Sequence, residues 1–163
     1  MIRLHRLANN MGEKIIETDR LSLEEADSND DLFFLELLNS PNWLKFIGDR
    51  SVKTRNDAVA YIENSLIKSY QNNGFGLYKV MSKLESRPIG ICGFVKRDYL
   101  DYPDIGFAIL PTYEGQGLVT EAAMALMDFG MSQLGLTEIL GITTKENIRS
   151  QRVLNKIGLK HKN

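Results

Sequence analysis

One cysteine, Cys92, stands in 163 residues, so no intramolecular disulfide can staple the chain and a zinc site built on cysteine thiolates is excluded. Histidine is almost as scarce. His5 and His161 lie near opposite termini, which argues against a histidine-rich catalytic centre, and no metal is expected. No apolar run approaches the ~18 residues that suggest a membrane span. The opening MIRLHRLANNMGEK has positive charge but no apolar core and does not read as a signal peptide. Nor does one sign of charge dominate: 20 Lys+Arg against 21 Asp+Glu leave −1, whereas a nucleic-acid binder usually shows a basic surplus. The expectation is a cytoplasmic protein with no membrane or nucleic-acid partner. With 43% hydrophobic and 25% charged residues, the composition is that of an ordinary globular protein. Its length suffices to bury a core without staples.

Met11-Gly12 begins a stretch, MGEKIIETDRLSL, that reads as a second start. Residues 1–12 are therefore expected to be an N-terminal extension and 13–163 a single domain. An N-myristoylation pattern counted from Met11 would need Ser or Thr where Ile16 stands, which removes that idea.

Alternation of Leu21 and Leu23 with polar neighbours predicts a strand in Arg20–Ala26. Asp27-Ser28-Asn29-Asp30 supplies capping and acidic residues ahead of the apolar LFFLELL, a helix ended at Ser40-Pro41. Ala58, Ile62, Leu66 and Tyr70 repeat every four residues, which predicts one helix over Thr54–Gln71 closed by Asn73-Gly74. Phe75–Lys83 and Pro88–Asp98 read as a hairpin joined by LESR, and Tyr102–Pro111 as a further strand. A helical stripe runs from Leu118 to Leu134, then a strand over Thr137–Thr143, then a last helix, IRSQRVLNKIG. Hairpin strands followed by β-α-β predict a mixed sheet flanked by helices.

The chemistry concentrates in ILPTYEGQGLVTE (Ile109–Glu121): a buried-type strand, a turn with Gly115 and Gly117, then a helix. Glycines without Cβ let backbone N–H groups approach a ligand, and the free N–H groups of a helix start favour phosphate. Alone the pattern also fits a plain structural turn. Thr120 fills the third glycine of a Rossmann fingerprint, and Gly-Leu-Val replaces the Gly-Lys-Ser/Thr of a P-loop, so both nucleotide readings lose ground. Lys145, Arg149, Arg152 and Lys156 share one side of the last helix: either a solvated face or a contact for a polyanion.

YPDIGFAILPTYEGQGLVTEAAMALMDFG followed by NIRSQRVLNKIGL resembles the acetyl-CoA-binding core of the GNAT superfamily of N-acetyltransferases. TYEGQGLVTEA, ENIRSQRVLNKIGL and ETDRLSL resemble its Rim-type branch, which includes acetyltransferases of protein N-terminal amines. The resemblance implies an α/β (α+β) fold with a mixed, mostly antiparallel sheet flanked by helices. The usual closing strand pair is expected to be truncated, since only Leu159–Asn163 follow the last helix. It implies acetyl-CoA as co-substrate, a primary amine as acceptor, and no metal. The family loop motif falls on Glu114–Val119, with Glu114 and Val119 departing from the common choices. Glu114 is expected to point away from a pyrophosphate.

Main-chain groups of Ala108, Ile109 and Leu110 would pair with pantetheine, and Gly115, Gln116, Gly117, Leu118, Val119 and Thr120 would hold the pyrophosphate. Asn147 would hydrogen-bond the pantetheine arm, and Arg152 would meet the polyanion. The reaction implied is direct attack of the amine on the thioester, with the N–H near Ile109 stabilising the oxyanion. Leu154 occupies the position of the family's tyrosine acid, which leaves Ser150 as the substitute. Asp98, Asp101 and Asp104 would attract a cationic acceptor or form an ordinary acidic loop, and Trp43 would line the acceptor cleft or pack in the core. The alternatives are a non-catalytic CoA-binding module lacking a complete acceptor site, and a nucleotide-binding protein. An uncovered sheet edge would favour a homodimer.

Overall fold

The computed structural model describes residues 12–162, so the expected extension lies, except for Gly12, outside the described residues. The first element among the described residues is a strand that the sequence pattern does not reveal, β1 (Lys14–Glu17). It pairs antiparallel with β2 (Leu21–Glu24), whose Leu21 and Leu23 are fully buried. Asp27 then forms a capping box with Asp30 over a short 3₁₀ turn that leads into α1 (Asp31–Leu38). Pro41 both follows α1 and opens a second, unforeseen helix, α2 (Pro41–Phe46), where its missing N–H costs nothing at the first position.

The single helix expected over Thr54–Gln71 has three parts: α3 (Arg55–Tyr61), a π-helical turn (Ile62–Ile67) and α4 (Lys68–Asn73). Thr54 and Asp57 form its capping box, and Gly74, at φ 74°, closes it. The strands β3 (Leu77–Ser82), β4 (Arg87–Val95) and β5 (Asp104–Ile109) form an antiparallel meander. After α5 (Leu118–Ser132), β6 is only Leu140–Gly141, and α6 (Ile148–Lys156) is the last element among the described residues. The strand expected over Thr137–Thr143 is therefore far shorter. Gly141 explains why: a Cβ there would fall 2.8 Å from side-chain atoms of both Leu154 and Leu159, so α6 lies directly against the strand.

The six strands among the described residues form one sheet in chain order, antiparallel except for β5 and β6. Each face has its own core. Ile91, Ala108 and Leu110 pack with Phe34, Leu37, Trp43, Ala58 and Ile62 of α1–α3 and the π-turn. On the other side Cys92, Phe94, Ile105, Phe107 and Ile109 pack with Ala122, Ala123 and Leu126 of α5 and Leu154 of α6. Burial pushes the Cys92 thiol up to about 12, which leaves it a small hydrophobe, as its position in β4 suggests.

Candidate active site

β5 and β6 touch only where Asp104 faces Leu140 and Ile105 faces Gly141, and beyond that pair the chain after β6 turns away toward α6. A cleft of about 1260 Å³ opens at this split. Its walls are β5, residues 142–144, α6, and the loop and first turn of α5 on one side, with α2, the π-turn and α4 on the other.

Which backbone groups of β5 face the cleft follows from register. Leu110 N donates to Ile89 O at 2.8 Å, so the residues paired like Leu110 and Ile89 exchange bonds with β4, and alternate residues do not. Ala108 therefore spends its N–H and C=O on Ile91, while Phe107 and Ile109 turn theirs toward the split where β6 is missing. Leu110 is 2% exposed, bonds to Ile89 and accepts from Tyr113 N, and does not line the cleft. Of the three residues expected to offer main-chain partners, only Ile109 has them free. Phe107 is the second, missed because strand alternation identifies faces of a sheet but not which neighbour each peptide bonds.

Gly115 (φ 76°) and Gly117 (φ 74°) occupy left-handed conformations that disfavour a Cβ. Gly117 caps α5, which has no side-chain cap, so the N–H groups of Leu118, Val119 and Thr120 have no partner one turn back. All three residues line the cleft. Gln116 does not. Arg20 Nη1 donates to its carbonyl at 3.0 Å and its side-chain amide reaches Thr112 O at 3.4 Å, which turns it outward. Arg20 also donates to Glu121 Oε1 at 2.7 Å, and Thr18 Oγ1 donates to Glu121 Oε2 at 2.6 Å. ETDRLSL is thus the clamp that holds the glycine loop.

Glu114 turns away from the α5 start, as expected, and bridges the walls. It accepts from Asn42 Nδ2 of α2 at 2.5 Å and pairs with Arg149 of α6. Asn147 is the N-cap of α6, its Oδ1 accepting from Ser150 N at 3.2 Å, a role the sequence reading did not assign. Its amide nitrogen remains available to a ligand. Ser150, Arg152 and Lys156 line the cleft, and Lys145 does not. Asp104, expected in an acidic attractant cluster, is 2% exposed and held by Arg97 through bonds of 2.7 and 3.3 Å, while Asp98 and Asp101 lie outside the cleft. Two buried polar atoms of cleft residues lack any partner: Trp43 Nε1 and Thr143 Oγ1.

An extended molecule with amides along one half and phosphates at one end fits these residues. The free edge of Phe107 and Ile109 takes amides as an added strand would, and the α5 start takes phosphate. Thr143 Oγ1 needs a partner that such a ligand can supply.

Comparison with known proteins points the same way. The chain is 29% identical over 145 residues, 89% of its length and 82% of the relative's, to YnaD of Bacillus subtilis (strain 168), an uncharacterized N-acetyltransferase. The acetyltransferase (GNAT family) from Bacillus anthracis superposes with a TM-score of 0.76 at 24% identity, over 91% of this chain and 84% of that one. The microcin C7 self-immunity acetyltransferase MccE, solved with acetyl-CoA and AMP, superposes at 0.72 with 21% identity, over 86% and 79%. The acetyltransferase (GNAT) domain family matches residues 20–160, a span that begins at the arginine of the loop clamp and runs through both walls of the cleft, and the chain belongs to this family of acetyl-CoA-dependent N-acetyltransferases.

Proposed function

We propose that this protein transfers the acetyl group of acetyl-CoA to a primary amine by direct attack in a ternary complex, within the Rim-type branch of the family. The observation that carries the reading is the pair of cleft-facing peptide groups at Phe107 and Ile109 beside the unpartnered α5 start. The branch assignment is supported by ETDRLSL, TYEGQGLVTEA and NIRSQRVLNKIGL. Since acetyl-CoA is a cytosolic metabolite, the protein acts in the cytoplasm.

In this reading Phe107 and Ile109 hold the pantetheine amides, with Asn147 Nδ2 adding a donor. Gly115 and Gly117 let the chain approach the pyrophosphate, which the N–H groups of Leu118, Val119 and Thr120 bind, with Arg152 nearby. The Ile109 N–H stabilises negative charge developing on the thioester oxygen. The amine lone pair forms the C–N bond as the C–S bond breaks. The proton released from nitrogen goes to water, and the CoA thiolate takes one from Ser150 or from water. Both carboxylates that line the cleft are engaged by arginines, so the acceptor must arrive unprotonated. An α-amine, with a pKa of about 8, does so far more readily than a lysine at about 10.4.

The test is thermal unfolding with acetyl-CoA, CoA, NAD and ATP at about 100 times Kd, where binding stabilises by about 2.7 kcal/mol. It is followed by thiol release with a panel of amines. A shift confined to the two CoA ligands and amine-dependent thiol release are expected. Binding without turnover of any amine would favour a non-catalytic CoA module.

A further inference from the structure

The cleft carries unpaired cations on both of its walls, and only one wall adjoins the helix start that fits the cofactor's phosphates. Its two carboxylates, Asp104 and Glu114, are each paired with a cleft arginine, Arg97 and Arg149. Five more cations line it with no carboxylate in ion-pair distance among the described residues: Arg50, Lys68, Lys96, Arg152 and Lys156. In a chain of net charge −1 this is a local concentration of positive charge.

The five do not stand together. Arg152 and Lys156 belong to α6, the wall that packs on the Ile105, Phe107 and Ile109 face of β5, next to the helix start that fits phosphate. Lys68 opens α4 and Arg50 lies in the loop between α2 and α3, both lining the cleft with the residues of α2, the π-turn and α4 that form the opposite wall. Arg50 sits close to Tyr61: burial raises that phenol and the Arg50 charge pulls it partly back. Asp49, the neighbour of Arg50 in the chain, is engaged by Lys53 at 3.3 Å and by Ser51 N at 2.8 Å. On the same wall Trp43 is 4% exposed, lines the cleft, and keeps its indole N–H buried without an acceptor. The π-turn between α3 and α4 presents Asn64 and Ser65 to the same space, and such turns recur at ligand sites.

A wall of two unpaired cations and an unsatisfied buried donor is complementary to an anion and repels a polycation. Resting on the acetyl-transfer reading above, we propose that the acceptor is a primary amine that itself carries a carboxylate or phosphate, held by Arg50 and Lys68, with the Trp43 indole N–H donating to an acceptor atom of the same molecule. Free amino acids, phosphorylated amines and peptides with acidic residues after their N-terminal amine share this chemistry. Polyamines and aminoglycosides do not.

The experiment measures turnover at saturating acetyl-CoA for four acceptor sets: amino acids beside their neutral amides, an aminoalkyl phosphate beside its alcohol, a peptide with Asp or Glu at its second position beside the Lys version, and spermidine. In parallel, calorimetry measures binding of the same amines to the free protein and of acetyl-CoA alone. Each anionic amine turned over is expected to have a KM lower by about tenfold or more than its neutral or cationic partner, as one charge-assisted hydrogen bond provides. The set with the largest effect identifies the source. Arg50→Gln and Lys68→Gln are expected to raise that KM about tenfold while acetyl-CoA affinity stays within about twofold. Trp43→Phe removes the donor together with part of a buried ring system, and is expected to raise the anionic amine's KM while lowering Tm through the cavity it leaves. Preference for spermidine or for the neutral partners, or an unchanged KM in both cation variants, overturns the inference. So does acetyl-CoA binding with no anionic amine bound or turned over, which leaves the cofactor assignment standing. Failure of acetyl-CoA to bind defeats the proposed function instead, and Arg50-dependent calorimetric binding of the anionic amine would still support the site.

Discussion

Arg20 and Glu121, 101 residues apart, meet at 2.7 Å between Nε and Oε1, and the Arg20 backbone N–H reaches Oε2 at 3.1 Å. The pair ties the start of β2 to the first turn of α5, and a second nitrogen of the same guanidinium holds the Gln116 carbonyl. The glycine loop is thus held from β2, in addition to the contact of its own Gln116 amide with Thr112 O. Arg20→Ala is expected to weaken acetyl-CoA binding several-fold in calorimetry while leaving far-UV circular dichroism unchanged. An unaltered Kd would mean the loop keeps its shape unaided.

The same pair predicts a pH dependence. Burial pushes the Glu121 carboxyl up, but hydrogen bonds from Thr18 and Arg20 outweigh it and hold the group below the usual glutamate range. A group depressed in the folded state contributes stability above its unfolded pKa, about 4.3, and loses it as pH falls through the folded value. Tm should therefore drop between pH 5 and 3, and drop less in Glu121→Gln, whose curve lies lower at neutral pH. Parallel curves would contradict this linkage.

Gly117→Ala places a Cβ on a residue at φ 74°, a conformation that costs an L side chain about 1–2 kcal/mol. Space is not the obstacle, since the nearest atom, Arg20 Nη2, would be 3.7 Å away. Gly117→Asp adds a negative charge at the phosphate end. The expected order of acetyl-CoA affinity is wild type, then Ala, then Asp, and an Asp variant binding as tightly as Ala would remove the pyrophosphate from this loop.

Ser150 lines the cleft, and its backbone N–H, not its hydroxyl, makes the bond to the Asn147 cap. Ser150→Ala should therefore leave helix α6 and Tm intact and lower kcat more than it raises the acetyl-CoA KM. Equal kcat in wild type and variant would return the role of acid to water.

Glu114 neutralises Arg149 on the cleft's rim. Releasing that arginine with Glu114→Gln should tighten acetyl-CoA binding a few-fold at low ionic strength and steepen its salt dependence, because a freed guanidinium adds attraction for phosphate that salt screens. Arg149→Ala should abolish the gain in the double variant. A Glu114→Gln protein with weaker binding would show that the bridge to Asn42 and α6 shapes the cleft more than it blocks it.

Much of the fold was legible in local pattern. Alternation at Leu21 and Leu23, the Ala58–Tyr70 repeat, Gly74 and the LESR turn act over a few residues, so their consequences appear in the chain itself. The family motifs name Gly115, Gly117, Asn147, Ser150 and Arg152, and the fold places all five along one cleft, in the loop and cap before α5 and in the cap and first turns of α6. β1 escaped notice because KIIE has no alternation to read, and α2 because Pro41 signals both an end and a beginning.

What the sequence alone determined is most of the elements, the glycine turn and the loop-and-helix signature of the family, all consequences of short-range sterics and periodicity. Tertiary structure decided the rest. The β4–β5 register decides that Phe107 and Ile109, rather than Ala108 and Leu110, turn their peptide groups away from β4, and the shortness of β6, where α6 presses on Gly141, leaves those groups uncovered. Asp104 became an arginine partner, Gln116 turned outward, and Arg50 and Lys68 were left without a carboxylate in ion-pair distance among the described residues, because ion pairing is settled by which side chains meet across the folded chain and not by how far apart they stand along it.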